Sequence, residues 1–223
     1  MTTDPGSDDP STERTKRRSP VGGWRFVVGA LAAAAVLAIV LRATLVDFYY
    51  VGSGSMRPTL VEGDGLLVDR TAGDAAEIAR GDVVVFDGRG SLLPYGEAGA
   101  IDPFLRALRL SGDDTLFVKR VIAVGGDRLS CCDGGGSLVL NGTPLAEPYL
   151  APGAPASAQD FAIEVPRGRL WLMGDHRVAS EDSRSLLGAP GGGMIPVDRV
   201  VGTVERVVWP PERSGSLNPK GTP

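Results

Sequence analysis

The chain has 223 residues, a formal net charge of −4 and an apolar content of 43%. This length suits one globular domain with accessory segments, and the slightly acidic balance gives no indication of a nucleic-acid partner. The only histidine is His176, and the two cysteines, Cys131 and Cys132, are adjacent. Because these residues cannot form a cluster of metal ligands, the composition predicts neither a zinc site nor a haem site.

The N-terminal part combines a polar segment with a long apolar run. Residues 1–20 are polar and predict disorder; they contain a basic cluster at 14–18, and residues 26–41 then carry no polar side chain. The segment 24–46 is long enough to cross about 30 Å of hydrocarbon, which predicts a transmembrane anchor. A buried core helix would be less uniformly apolar, and a cleavable signal peptide would end in a small-x-small site. The basic cluster predicts a cytoplasmic N-terminus.

The remainder of the chain is dominated by short apolar runs separated by turn residues. The runs lie at 66–68, 82–86, 117–124, 138–140, 161–165, 170–173 and 200–209. Asn141-Gly142, after the fourth run, is the strongest two-residue hairpin signal. Since no helical pattern alternates with these runs, they predict a mixed or antiparallel β architecture. Residues 87–116 look like an insertion, with a short helix predicted at 102–110.

A glycine- and serine-rich stretch at residues 51–60 follows the apolar run. Ser53 and Ser55 stand two residues apart, so on an extended chain their hydroxyls point the same way. Glycine beside serine indicates a backbone that another group approaches closely. Taken alone, the stretch is more typical of a turn than of a catalytic site.

Lys119 is the only lysine between residues 47 and 209. It lies within an apolar strand, where alternation places Phe117 and Val121 on its own face. Such neighbours disfavour the charged ammonium, so the pKa of Lys119 should fall below about 10.4. A neutral lysine can serve as the base for a serine hydroxyl such as that of Ser55. The alternative is an edge-strand lysine whose ammonium reaches solvent.

A polar loop at residues 173–184 follows the apolar run that ends at 173. It carries two acids and two arginines that could pair as a scaffold beside the site: Asp175, Arg177, Asp182 and Arg184. Ser180 could orient the lysine. The alternative is a solvated loop with surface ion pairs worth about 0–1 kcal/mol each. His176 also permits a Ser-His-Asp triad, which we disfavour because Lys119 already supplies a base.

Four stretches, in this order, resemble the ordered boxes of the bacterial type I signal peptidases. They are residues 53–60 (SGSMRPTL), 80–86 (RGDVVVF), 119–122 (KRVI) and 174–184 (GDHRVASEDSR). The upstream anchor and its orientation also match, and the resemblance covers about residues 49–209. Any single box is a weak signal, whereas four in order are highly specific.

The resemblance implies a fold and a set of residue roles. The fold is mainly β: a largely antiparallel β-sheet catalytic domain with an inserted cap region, preceded by one N-terminal transmembrane helix. Ser55 matches the nucleophile and Lys119 the general base, while the Ser53 hydroxyl joins the Ser55 N–H in the oxyanion hole. The supporting residues are Ser180, which hydrogen-bonds the lysine, the ion pair of Asp182 with Arg184, and Asp175 as a further structural acid.

The resemblance also implies the activity. The protein would be a membrane-anchored serine endopeptidase that removes N-terminal signal peptides from secreted preproteins through an acyl-enzyme, without a cofactor. Its partners would be preproteins with small residues at −1 and −3, and the lipid bilayer of the plasma membrane. Tyr49, Val51 and Met56 are candidate walls of the substrate pockets. We expect a monomer.

These expectations divide the chain into four parts. Residues 1–23 form a disordered cytoplasmic tail, 24–46 the anchor, 47–209 an extracytoplasmic peptidase domain with insertions at about 87–116 and 128–165, and 210–223 a flexible tail. Two other functions are compatible with parts of the pattern: a membrane-tethered binding module, and a serine–lysine peptidase with another substrate, such as a self-cleaving regulator.

Some residues depart from the family pattern or stay open. Gly52 stands where a proline usually precedes the motif serine, and His176 where asparagine is usual. Cys131 and Cys132 could form a vicinal disulfide, pair between chains or stay reduced.

Overall fold

A computed structural model describes residues 21–70, 78–93 and 115–217. The predicted disorder at 1–20, the predicted helix at 102–110 and most of the insertion at 87–116 lie outside these residues, as does the end of the predicted tail at 218–223. The N-terminal element is the helix α1 (Val21–Leu45). It exposes large apolar side chains, among them Trp24, Phe26 and Leu31. In the part of the chain that is fully described, no helix has the length and apolar character needed to cross a membrane.

Among the described residues, twelve strands follow α1, and all of their pairings are antiparallel. They are β1 (Val46–Tyr50), β2 (Gly65–Asp69), β3 (Val83–Asp87), β4 (Leu116–Val124), β5 (Arg128–Cys131), β6 (Val139–Leu140), β7 (Thr143–Pro144), β8 (Phe161–Glu164), β9 (Arg169–Met173), β10 (Ile195–Pro196), β11 (Val200–Trp209) and β12 (Gly215–Ser216). The prediction of a mainly antiparallel β fold is confirmed.

The strands form two sheets. The large sheet has the order β1-β2-β11-β3-β4-β9-β10, with β12 added on β11, and the small sheet has the order β7-β6-β5-β8. All four strands of the small sheet lie within residues 128–165, the second stretch predicted as an insertion. In β5, Cys131 is joined to Cys132 by a disulfide, one of the three states that the sequence left open.

β3 explains why an uninterrupted apolar run can form a strand. Val83 and Val85 are buried in a core on one face of the large sheet, and Val84 and Phe86 in a second core on the other face. Side chains of a strand alternate between the faces of the sheet, so a strand buried on both faces is apolar throughout. β4, which carries Lys119, pairs directly with this central strand.

A third core packs between β4, β9 and the small sheet. Its largest members are Trp171, Phe161, Met173 and Ile122. The rings of Phe161 and Trp171 are tilted against each other with their centroids 5.3 Å apart. This core attaches the small sheet to the strands that carry the polar loop after β9.

Residues 210–217, the first part of the predicted flexible tail, pack against the large sheet. β12 pairs with β11, and the turn at Pro211–Arg213 places Arg213 against Asp64. Arg213 Nε donates to Asp64 Oδ1 at 2.8 Å and Arg213 Nη2 to Oδ2 at 3.0 Å. The Asp64 side chain is fully buried, so its charge needs this partner, and that need orders a segment whose composition alone indicates flexibility.

Replacing Arg213 should destabilise the domain. Arg213→Ala leaves the buried Asp64 carboxylate with fewer hydrogen bonds, and we expect a loss of about 1–3 kcal/mol in the free energy of unfolding. The value should lie in the lower part of that range, because the Arg213 side chain is 37% exposed. Thermal unfolding measures the effect as a drop of several degrees in Tm. Arg206→Ala, at an exposed position of β11, is the matched control; equal Tm values for the two variants would contradict the role of the ion pair.

Candidate active site

The segment that carries Ser55 is a tight turn anchored in the core. Gly54–Met56 forms one turn of 3-10 helix, preceded by Ser53 in an extended conformation. Met56 and Leu60 are buried beneath it, with 1% and 0% exposure. The turn holds its two serines together: Ser53 Oγ lies 3.3 Å from Ser55 Oγ.

Lys119 reaches this turn from β4. Its Nζ donates a hydrogen bond to Ser55 Oγ at 2.7 Å, and the residue is only 3% exposed. Burial lowers the pKa of Lys119 from 10.5 to about 8, against the opposing fields of Asp182 and Glu181. A neutral amine at this distance from a hydroxyl can accept its proton, so the pair has the geometry of a nucleophile and its base.

The loop after β9 lies directly against the Ser55 turn. The backbone N–H of His176 donates to the carbonyl oxygen of Ser55 at 3.0 Å. Gly174 allows this approach, because a Cβ at that position would lie 2.5 Å from the same carbonyl oxygen and would also collide with Ser180. The contact therefore requires glycine at 174.

Two buried ion pairs hold the carboxylates of the loop. Asp182 accepts from Arg184 Nε at 2.9 Å and from Arg184 Nη2 at 2.8 Å, and its Oδ2 also accepts from the backbone N–H of Gly174. Burial alone would raise the pKa of Asp182, but Arg184 holds it below its ordinary value. Asp175 accepts from Arg120 of β4 at 2.8 and 2.7 Å. The acids and arginines that the sequence suggested as a scaffold are thus buried, hydrogen-bonded groups and not a solvated surface.

Ser180 is the predicted site residue whose expected contact is missing. Its hydroxyl is buried and has no hydrogen-bond partner of ordinary geometry, including Lys119 Nζ. It lies close enough to the Asp182 carboxylate to contribute to the lowered pKa of that group. In this structure the Ser180 hydroxyl therefore makes no hydrogen bond to Lys119.

An apolar cavity of about 180 Å³ adjoins Ser55 and Lys119. Val51 and Met56, two of the three predicted wall residues, line it. Tyr49 does not: its hydroxyl donates to Asp47 Oδ2 at 3.1 Å and its side chain packs against the core. Tyr50 and Phe117 are wall residues that the sequence did not suggest. The alternation of β1 could have indicated that Tyr49 and Tyr50 face opposite sides.

A second, wider pocket of about 480 Å³ opens on the other side of the two serines. Its polar lining includes Arg57, Glu62, His176 and Glu181. His176 shares this pocket with Ser55, but the hydrogen-bonding neighbours of Ser55 Oγ are Lys119 and Ser53. A Ser-His pair is therefore not formed. At Gly52, an added Cβ would meet no atom within 4 Å, so packing does not require glycine there.

Comparison with known proteins gives one family. The model of the family described as "Signal peptidase, peptidase S26" matches residues 24–209. A probable signal peptidase I from Mycobacterium leprae is 35% identical over 91% of this chain and 81% of its own length. Signal peptidase I T from Bacillus subtilis is 33% identical over 81% of this chain and 83% of its own.

A solved signal peptidase I from Enterococcus faecalis aligns with 56% of this chain and 95% of that chain at 22% identity, with a TM-score of 0.37. The assignment rests on the sequence matches, which span the Ser55 turn, β4 and the loop after β9. The chain therefore belongs to the family of bacterial type I signal peptidases and is a peptidase of that type.

Proposed function

We propose that this peptidase cleaves signal peptides from secreted preproteins with Ser55 as nucleophile and Lys119 as general base. The observation that carries the proposal is the 2.7 Å hydrogen bond between Lys119 Nζ and Ser55 Oγ, made by a lysine that is 3% exposed. Burial supplies a base that is partly neutral near physiological pH, which an exposed lysine would not be.

The reaction begins when Lys119 takes the proton of Ser55 as Oγ attacks the scissile carbonyl carbon. The developing oxyanion accepts hydrogen bonds from the Ser55 N–H and the Ser53 hydroxyl, whose oxygen lies 3.3 Å from Ser55 Oγ. Lys119 then returns the proton to the departing amine, which leaves an acyl-enzyme on Ser55. The neutral Lys119 amine then deprotonates a water molecule, which attacks the ester carbonyl. The bond between the acyl carbon and Ser55 Oγ breaks, and Lys119 returns the proton to Oγ. No cofactor takes part.

The cavity beside the dyad supports selection of small side chains. Its walls are the apolar side chains of Val51, Met56 and Phe117, and Met56 is fully buried and so cannot move aside easily. A substrate strand that runs beside the end of β1 would place alternate side chains against this surface. Alternate positions before the scissile bond, −1 and −3, would then have to be small.

The membrane association of the family supports an anchor at residues 24–46, with residues 1–23 in the cytoplasm and the catalytic domain outside. The sequence supports the same anchor, because residues 26–41 carry no polar side chain. The domain also exposes aromatic side chains at Phe48, Tyr50 and Trp209. Tyr50 and Trp209 flank Gly65, which pairs with both, and such amphipathic rings favour the membrane interface. We propose that the protein acts as a monomer.

The anchor can be tested on the full chain expressed in bacterial cells. An apolar segment that crosses the bilayer is held by the hydrophobic effect and resists alkaline carbonate extraction, which releases peripheral proteins. We expect the chain to stay in the membrane pellet and external protease to digest the catalytic domain of spheroplasts. Release of the chain by carbonate would refute the anchor, and protection of the domain would refute the orientation.

Removing either member of the dyad should abolish cleavage without unfolding the protein. We expect Ser55→Ala and Lys119→Met to lower kcat/KM for a preprotein by about 10³-fold or more. Lys119→Met should not lower Tm, because it replaces a buried amine with an apolar side chain of similar length. Ser157→Ala, at a loop serine outside the site, is the control. Undiminished cleavage by either dyad variant would refute the assignment, and a Ser55 adduct in the mass spectrum would identify the acyl-enzyme.

The pH dependence of cleavage should report on Lys119. The lysine is an active base only when neutral, so activity is lost as pH falls through its pKa of about 8. Between pH 7 and pH 9 we expect kcat/KM to rise roughly tenfold. Glu181→Gln removes a charge that raises this pKa, so the rise should move to lower pH. A profile that is flat from pH 7 to 9 would contradict a lysine base.

A further inference from the structure

A short segment of the region around the small sheet packs behind the loop at 174–184. This segment, residues 147–149, is Glu-Pro-Tyr and lies between β7 and β8. Both oxygens of the Glu147 carboxylate accept hydrogen bonds from Arg177 of the loop. The two side chains are almost completely buried, with 5% exposure for Glu147 and 1% for Arg177. Removing one partner of such a buried pair strongly destabilises a protein, because the other charge stays buried without compensation.

Tyr149 adds a second contact to the same loop. Two guanidinium groups lie over its ring, with Arg120 Cζ 4.0 Å and Arg177 Cζ 5.9 Å from the ring centroid. Its hydroxyl donates to Glu147 Oε1 at 2.9 Å. Cation–π contacts are strongest where the cation is desolvated, and both arginines are buried. Glu147 and Tyr149 together hold one arginine of the loop and one arginine of β4.

Chains of hydrogen bonds connect both arginines to the Ser55–Lys119 dyad. Arg177 Nε donates to the carbonyl oxygen of Gly174 at 3.1 Å, and the carbonyl oxygen of Arg177 accepts from Arg184. Arg120 makes its bidentate pair with Asp175. The loop between these points donates its His176 N–H to the Ser55 carbonyl oxygen. A shift of Arg177 or Arg120 would therefore move the surface against which Ser55 and Lys119 are packed.

We propose that Glu147 and Tyr149 are positioning residues of the Ser55–Lys119 dyad, acting through Arg177 and Arg120. The inference rests on the proposed function, since it assigns these two residues a role in that reaction. Neither residue lines the two pockets beside Ser55, so neither contacts the substrate there. Their contribution is to hold the loop that keeps water away from Lys119.

Loosening the loop should change the pKa of Lys119 in one direction. The charged and titratable groups that face Lys119 are Asp175, Glu181, Asp182 and Arg184 of the loop and Arg57, Glu62 and His176 around the wider pocket. Burial is the largest influence on the lysine and lowers its pKa. Water admitted behind the loop would reverse that influence, so the pKa of Lys119 should rise toward its ordinary value.

The test is a set of variants of the full chain, assayed on a preprotein for kcat, KM, the pH profile of kcat/KM and Tm. For Glu147→Gln and Tyr149→Leu we expect kcat to fall about tenfold or more, with little change in KM. The acid limb, which is the pH range where kcat/KM falls as pH is lowered, should move to higher pH by about half a unit or more. Tyr149→Phe keeps the ring over Arg120 and should recover most of the activity, with a smaller shift of the limb. Glu164→Gln, which breaks an exposed pair on β8, should match the wild type.

The readouts separate positioning from mere stability. Variants with a lower Tm but an unmoved acid limb and an unchanged kcat would overturn the inference. If Tyr149→Leu or Glu147→Gln does not fold, Tyr149→Phe decides the question, and an unmoved limb for it overturns the inference as well. Activity that survives in Ser55→Ala or Lys119→Met would instead reject the dyad itself, so the two failures are distinguishable.

Discussion

The burial of one lysine amine beside one serine hydroxyl is the constraint on which the rest of the site depends. Water favours the charged form of Lys119, so excluding water lowers the pKa of its amine, here to about 8. The apolar neighbours of β4, the anchored turn at Gly54–Met56 and the loop after β9 each close one side of this amine. The large sheet supplies the rigid support, because β4 is hydrogen-bonded on both sides, to β3 and β9.

The loop places charged groups beside Lys119 while the pKa of its amine stays below the ordinary value. Unpaired carboxylates at this range would stabilise the ammonium and raise the pKa of Lys119. Asp182 and Asp175 are instead neutralised by Arg184 and Arg120 in bidentate pairs. Each pair is costly to bury. Arg184 lowers the pKa of Lys119 and so offsets part of the opposite effect of Asp182, and desolvation remains the largest influence on Lys119.

Much of the fold and the core of the site could be predicted from the sequence, because they depend on strong local patterns. The apolar runs at 82–86 and 117–124 mark the central strands, and the isolated lysine within the second run indicates an unusual environment. The weaker features depend on long-range contacts. β12 is ordered by its pairing with β11 and by Asp64, and Glu147 is partnered by Arg177, thirty residues away. Alternation along β1 separates Tyr49 from Tyr50, but which of the two faces the cavity depends on how the strand packs against the core.

The attachment of residues 210–217 has a practical consequence. Arg213 holds Asp64, whose backbone carbonyl oxygen accepts from Val51 at the base of the serine turn. Two consecutive contacts, from Arg213 to Asp64 and from Asp64 to Val51, thus connect the C-terminal segment to the turn that carries Ser55. Expression designs that trim the polar end of the chain, or fuse an affinity tag to it, should keep everything up to residue 217. A boundary chosen at Trp209, where the family match ends, would remove a structural part of the enzyme.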